Sequence, residues 1–86
     1  MRRLVFTPNG WADYIHWHAV DRGTLKRINR LLEDVRSDPF TGIGKPEPLK
    51  HAFAGCWSRR ISDEHRLVYL VDGEDSVVLQ ARYHYE

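Results

Sequence analysis

The sequence predicts an α+β fold, with two N-terminal helices packed on one face of a small twisted antiparallel sheet. Three observations predict it. Apolar residues recur at helical spacing from Trp11 to Val35, period-two alternation takes over from Trp57 onward, and a Gly- and Pro-rich stretch from Phe40 to Pro48 divides the two regimes. At 86 residues and 10.1 kDa the chain has room for one modest core, so residues 1–86 read as a single domain. Three Trp, four Tyr and three Phe supply the apolar area that such a core needs, although 29% of residues are charged.

Arg2 to Phe6 reads as a short strand, because Leu4, Val5 and Phe6 are apolar and Val5 and Phe6 favour extended backbone. Thr7 then caps a first helix with Pro8 at its first position, and Trp11, Tyr14, Ile15 and His18 form its expected buried stripe. Gly10 weakens this helix by about 1 kcal/mol relative to Ala. His16 and His18 point to different sides and cannot form an i, i+4 metal pair. Asp21 caps a second helix reaching about Ser37, with Leu25, Ile28, Leu32 and Val35 on one face. Pro39 ends it by disfavouring helical backbone at Asp38, which leaves an α-hairpin with a very short link.

The residues from Phe40 to Pro48 read as loop, with Glu47 held between Pro46 and Pro48 on stiff backbone. An antiparallel meander follows: Trp57 to Ser62, a turn at Ser62-Asp63-Glu64, His65 to Val71, a turn at Asp72 to Asp75, and a longest strand from Ser76 to Tyr85. Alternation puts Leu67, Tyr69 and Val71 on one face with Val77, Leu79, Ala81 and Tyr83, where the helices should cover them. Arg66, Gln80, Arg82 and His84 then share the open face, and Glu47 approaches from the preceding loop.

Formal net charge is only +1, so bulk electrostatics do not announce a nucleic-acid binder. The distribution says more: Lys45, Lys50, Arg59, Arg60 and Arg66 face only Glu47, Asp63 and Glu64 in that stretch, a local patch suited to phosphate. Arg82 adds to it. The lone Cys56 excludes an internal disulfide and reads as a small buried residue beside Trp57. MRRLVFTP is too polar for a signal peptide and no stretch could span a membrane, so a cytoplasmic location is expected. No His, Cys and carboxylate spacing suggests a metal cage, and no cofactor is expected.

Cleaving a phosphodiester takes a base for the attacking hydroxyl, cations for the crowded phosphate and an acid for the leaving oxygen. RNA carries its own nucleophile in the 2′-OH. Glu47 as base, Arg66 helped by Lys50 and Arg60 as clamp, and His84 as acid would meet these requirements.

The runs GKPEPLKH (44–51), WSRRI (57–61), EHRLVY (64–69) and RYHY (82–85), with WADY (11–14) and KRIN (26–29), closely resemble the YoeB toxins of the RelE/ParE superfamily over the whole chain. The resemblance implies a microbial RNase-like fold and a ribosome-dependent mRNA interferase that cuts in the A site. It implies Glu47 as general base, Arg66 on the phosphate, His84 as general acid and Tyr85 arranging the substrate. It also implies a YefM-like antitoxin, whose disordered acidic segment folds over the active face, and a homodimer. Cys56, where a bulkier residue is expected, the Asn9-Gly10 helix start and Glu86 after the last tyrosine depart from the family pattern. Three other readings remain open: a toxin that occupies the A site without cutting, a gyrase poison of the same superfamily, and a plain RNA-binding module.

Overall fold

The computed structural model describes residues 1–84. In chain order it contains β1 (Arg3–Phe6), α1 (Pro8–Val20), α2 (Arg22–Ser37), β2 (Glu47–Pro48), a 3₁₀ turn (His51–Phe53), β3 (Cys56–Arg60), β4 (Arg66–Asp72) and β5 (Asp75–Gln80). Among the described residues no helix is long and apolar enough to cross a membrane.

Both helix starts follow from local chemistry. The Thr7 hydroxyl accepts from the Gly10 N–H at 3.0 Å, and the Asp21 carboxylate accepts from the Thr24 N–H at 3.1 Å. Asp21 also closes α1 through its own N–H to the Trp17 carbonyl, so one residue caps both helices and sets the tight link. Ile28, Leu31, Leu32 and Val35 of α2 are buried, with Leu25 packed at their margin. At roughly 2 kcal/mol per side chain their burial anchors α2 to the sheet.

The α1 face is rotated from its expected position. Trp11 and Ile15 stay 51% and 43% exposed and His18 is exposed, whereas Gly10 and Trp17 are buried. Gly10 is the cause. A Cβ there would overlap the Val78 carbonyl oxygen, so the helix lies directly on the β5 backbone at the one residue without a side chain.

The sheet is mixed rather than antiparallel, in the order β1-β5-β4-β3-β2. β3, β4 and β5 form the expected meander, but β1 pairs parallel to β5, Arg3 opposite Asp75 and Phe6 opposite Val78. Arg3 Nε to Asp75 Oδ1 (2.7 Å) and Arg2 Nε to Ser76 Oγ (3.0 Å) tie the start of β1 to β5. Glu47 and Pro48, expected in a loop, form a short edge strand opposite Ser58 and Trp57.

β4 sorts as alternation requires: Leu67 and Tyr69 lie in the core beneath the helices with Val71 packed against it, while Val68 belongs to the smaller cluster on the other face. β5 does not. Val68 pairs with Gln80 but Tyr69 with Val78, so Leu79 has no partner at this bulge. Val78 and Ala81 therefore face the helices, and Leu79 packs with Leu49, Cys56, Val68 and Leu70 on the opposite face. That second face is only partly open, because Leu49 and Phe53 cover its apolar end. Its polar end carries the candidate site.

Candidate active site

The loop that delivers Glu47 is fixed from beneath by Arg59. Sequence reasoning placed Arg59 among the phosphate-binding cations; the structure instead buries it completely, on the helix side of β3. Its Nε donates to the Tyr69 hydroxyl, Nη1 to the Asp34 carboxylate and the Ile43 carbonyl, and Nη2 to the Asp38 and Thr41 carbonyls. Those five bonds match the five N–H donors of a guanidinium. The Tyr69 hydroxyl in turn donates to the Pro39 carbonyl at 2.6 Å. Asp34 also accepts from the Ile43 N–H, and that bond, followed by Arg59, holds its carboxyl below the usual range. Gly42, at φ +125°, lies against the Asp34 carboxylate where a Cβ could not fit. The loop ends where the Arg60 N–H reaches the Gly44 carbonyl at 2.7 Å.

Beyond that bond the backbone turns through Lys45 at φ +52° and emerges as Pro46-Glu47-Pro48 along the edge of β3. Glu47 is exposed and lines a cleft of about 300 Å³ with Lys45, Pro46, Pro48, Ser58, Arg60 and Arg66. The sheet puts these groups together: Glu47 is opposite Ser58, and Arg60 is opposite Arg66, on one face. Arg66 Nη1 donates to the carbonyls of Ser62 (2.6 Å) and His65 (3.1 Å), with Asp63 at 3.4 Å, so the guanidinium braces the β3–β4 turn while bordering the cleft.

His84 arrives by a different route from the one expected. β5 stops at Gln80 and is not the longest strand, so neither Arg82 nor His84 lies on it. Ala81 is pinned by α1 instead: its N–H donates to Asp13 Oδ2 at 3.0 Å, and its carbonyl accepts from Trp17 Nε1 at 2.8 Å. Gln80 Nε2 donates to the Arg82 carbonyl at 2.9 Å and the His84 carbonyl at 3.3 Å. The Tyr83 N–H donates to His65 Nδ1 at 2.7 Å and its carbonyl accepts the Arg66 N–H at 3.0 Å. His84 Nε2 then sits 3.1 Å from the Asp63 carbonyl, which can only accept, so Nε2 carries a proton. Arg66 and His84 thus meet over the same turn.

The remaining basic residues divide. Lys45 and Arg60 border the cleft. Lys50 lines a neighbouring hollow of about 410 Å³ that shares Glu47 and Pro48 and continues to Phe53. The Arg82 guanidinium stacks on the Tyr83 ring, 4.7 Å from its centre. Tyr85 and Glu86 lie outside the described residues. Cys56 is buried in the small cluster, and burial pushes its thiol up, away from reactive thiolate. Sequence reasoning missed Ser58 in the cleft and the bonds by which Asp13, Trp17, His65 and Gln80 hold residues 81–84. Their partners are mostly backbone groups, which leave no mark in residue types.

Residues 6–85 match the family model described as the YoeB-like toxin of bacterial type II toxin–antitoxin systems. The chain is 58% identical to a Toxin YoeB of Streptomyces coelicolor over 96% of this chain and 99% of that one. Among solved structures it is similar to a YoeB/ParE toxin from Agrobacterium tumefaciens, with TM-score 0.93, 47% identity and coverage of 96% and 99%. It is also similar to the YoeB of a heterotetrameric YoeB–YefM complex from Staphylococcus aureus, with TM-score 0.89, 40% identity and 99% of both chains covered. A YoeB dimer from the same organism matches with TM-score 0.89 and 40% identity over 98% of each chain. With the family model spanning nearly the whole chain, this protein belongs to the YoeB-like toxins of bacterial type II toxin–antitoxin systems.

Proposed function

We propose that this toxin is a ribosome-dependent endoribonuclease, an mRNA interferase that cuts mRNA in the ribosomal A site and so stops translation. The observation that supports the reading is the cleft itself: Glu47 and Arg66 border it together, and His84 is anchored on the turn that Arg66 braces. Glu47 takes the proton of the 2′-OH, and that oxygen bonds to the adjacent phosphorus. Arg66, with Lys45 and Arg60 beside it, offsets the charge that builds on the phosphoryl oxygens. The bond from phosphorus to the 5′-oxygen breaks, and His84 gives that oxygen a proton. The products are a 2′,3′-cyclic phosphate and a 5′-OH. Each acid–base group contributes roughly 10²–10⁴-fold. The nucleophile comes from the substrate and the charge is met by Arg, so the scheme runs without a metal or cofactor.

In the free protein the His84 Nε2–H donates to the Asp63 carbonyl, and RNA exchanges that acceptor for its leaving oxygen. Tyr85 is assigned to arranging the substrate, and Lys50 and Arg82 to flanking phosphates. Arg59 takes no part in phosphate binding. A YefM-like antitoxin and a homodimer are the protein partners, supported by the Staphylococcus aureus assemblies, and the cytoplasm, where ribosomes work, is the location. Primer extension on mRNA with purified ribosomes tests the reading. A new break at the A-site codon, lost in Glu47→Ala and His84→Ala, is expected. Translation blocked on intact mRNA would replace the nuclease with a toxin that only occupies the A site.

A further inference from the structure

We propose that His65 is a positioning residue, whose ring nitrogen Nδ1 sets the place of His84 by latching the backbone of Tyr83. The inference rests on the nuclease reading above. It starts from how residues 81–84 are held once β5 has ended. Ala81 is fixed by Asp13 and Trp17 of α1, and the next firm anchor is Tyr83. Both backbone groups of Tyr83 are taken by one dipeptide: its N–H by His65 Nδ1 at 2.7 Å, its carbonyl by the Arg66 N–H at 3.0 Å. Arg66 is therefore coupled to His84 through its backbone as well as through the Asp63 carbonyl.

Tyr83 sits at φ +61°, a left-handed conformation that a non-glycine residue keeps only where its surroundings enforce it. Here that turn aims the following residue, His84, back toward the Asp63 carbonyl. A backbone N–H can only donate, so Nδ1 must be the bare, accepting nitrogen of the ring. The ring is held for that task. It meets Trp17 edge to face at 4.8 Å and faces Tyr83 at 5.8 Å, while the His65 carbonyl receives the Ile61 and Ser62 N–H groups. Trp17 binds both the latch and the Ala81 carbonyl, so α1 supports the segment at two successive points.

Asn places its Oδ1 close to where His carries Nδ1, whereas Leu fills similar space and accepts nothing. Single-turnover cleavage on programmed ribosomes should therefore separate His65→Asn from His65→Leu. A displacement of about 1 Å at a reacting group costs on the order of 10²-fold. His65→Leu is expected to lose about that factor in the cleavage rate with KM for the ribosome within about 2-fold, while His65→Asn stays within about 5-fold of the parent. Amide exchange of Tyr83, read by NMR on the same three proteins, needs no activity. Protection in the parent and His65→Asn, lost in His65→Leu, is expected. A His65→Leu protein that cuts at the parental rate, or equal Tyr83 protection in all three proteins, overturns the latch. A parent that does not cut at all overturns the nuclease reading instead, and the exchange data still decide whether His65 holds Tyr83.

Discussion

Replacing Arg59 by Met tests whether the most buried cation of the chain is a structural hub or an RNA ligand. Met keeps much of the aliphatic stem but removes all five N–H donors, leaving the Tyr69 hydroxyl without the Arg59 N–H and three loop carbonyls without their donor. It also leaves Asp34 without its guanidinium. Removing one partner of a buried ion pair typically costs about 3–5 kcal/mol. The Asp34 side chain is 33% exposed and can recover some hydration, so the lower end, about 3 kcal/mol, applies. For a chain of this length total stability is on the order of 4–13 kcal/mol, so the loss is a large share of it. At roughly 4–8 °C per kcal/mol the melting temperature should fall by about 12–24 °C. Urea unfolding followed by Trp fluorescence should show a lower midpoint with an unchanged slope. Arg60→Ala, two positions from the paired Ser58 and exposed at the cleft, is the contrast: stability within about 0.5 kcal/mol, but weaker RNA contact. An Arg59→Met protein with the parental midpoint and reduced RNA binding would refute the hub and return Arg59 to the surface patch.

Gly10→Ala should destabilise the protein by about 1–3 kcal/mol in the same urea assay, because the added Cβ meets the Val78 carbonyl oxygen and pushes α1 off β5. A gain of about 1 kcal/mol, the helix-propensity result, would show that α1 is not seated there. Asp34 makes stability depend on acid. Its folded carboxyl is held down first by the Ile43 N–H and then by Arg59, so its contribution is complete above the unfolded value of about 3.9 and is lost as pH falls through the lower folded value. Asp34→Asn should therefore be less stable than the parent at neutral pH, with the gap narrowing below about pH 4. A gap that is constant with pH would remove the carboxylate from the account.

What the sequence made legible was local. Thr7 and Asp21 announce their helices because an N-cap bond spans three residues, and Pro39 stops α2 by acting on its own neighbour. The meander is readable because turns and alternation are short-range. The misreadings all involve a contact between distant segments. Gly10 looks like a weak helix residue until β5 lies against it, and a bulge against β4 brings Ala81 to the same face as Val78, three positions earlier, so no single period sorts the residues from Val77 to Ala81. The partners of Arg59 come from α2 and the following loop, 16–25 residues away, apart from Tyr69 across the sheet. Nothing in a charge count distinguishes such an arginine from a solvated one. For the site, the face of Arg66 followed from strand parity, whereas Glu47, expected on a proline-held loop, borders the cleft from an edge strand against β3. His84 lies by the turn that Arg66 braces, but through a pinned bend at Ala81 rather than through strand alternation.

The central claim is that Glu47, Arg66 and His84 form one device for 2′-OH attack, and the chemistry of the cut ends reports on it directly. Mass spectrometry of the RNA fragments released on ribosomes should find a 2′,3′-cyclic phosphate on the upstream piece and a 5′-OH on the downstream piece. A 3′-OH paired with a 5′-phosphate would mean that water or another nucleophile attacked, and would contradict the account.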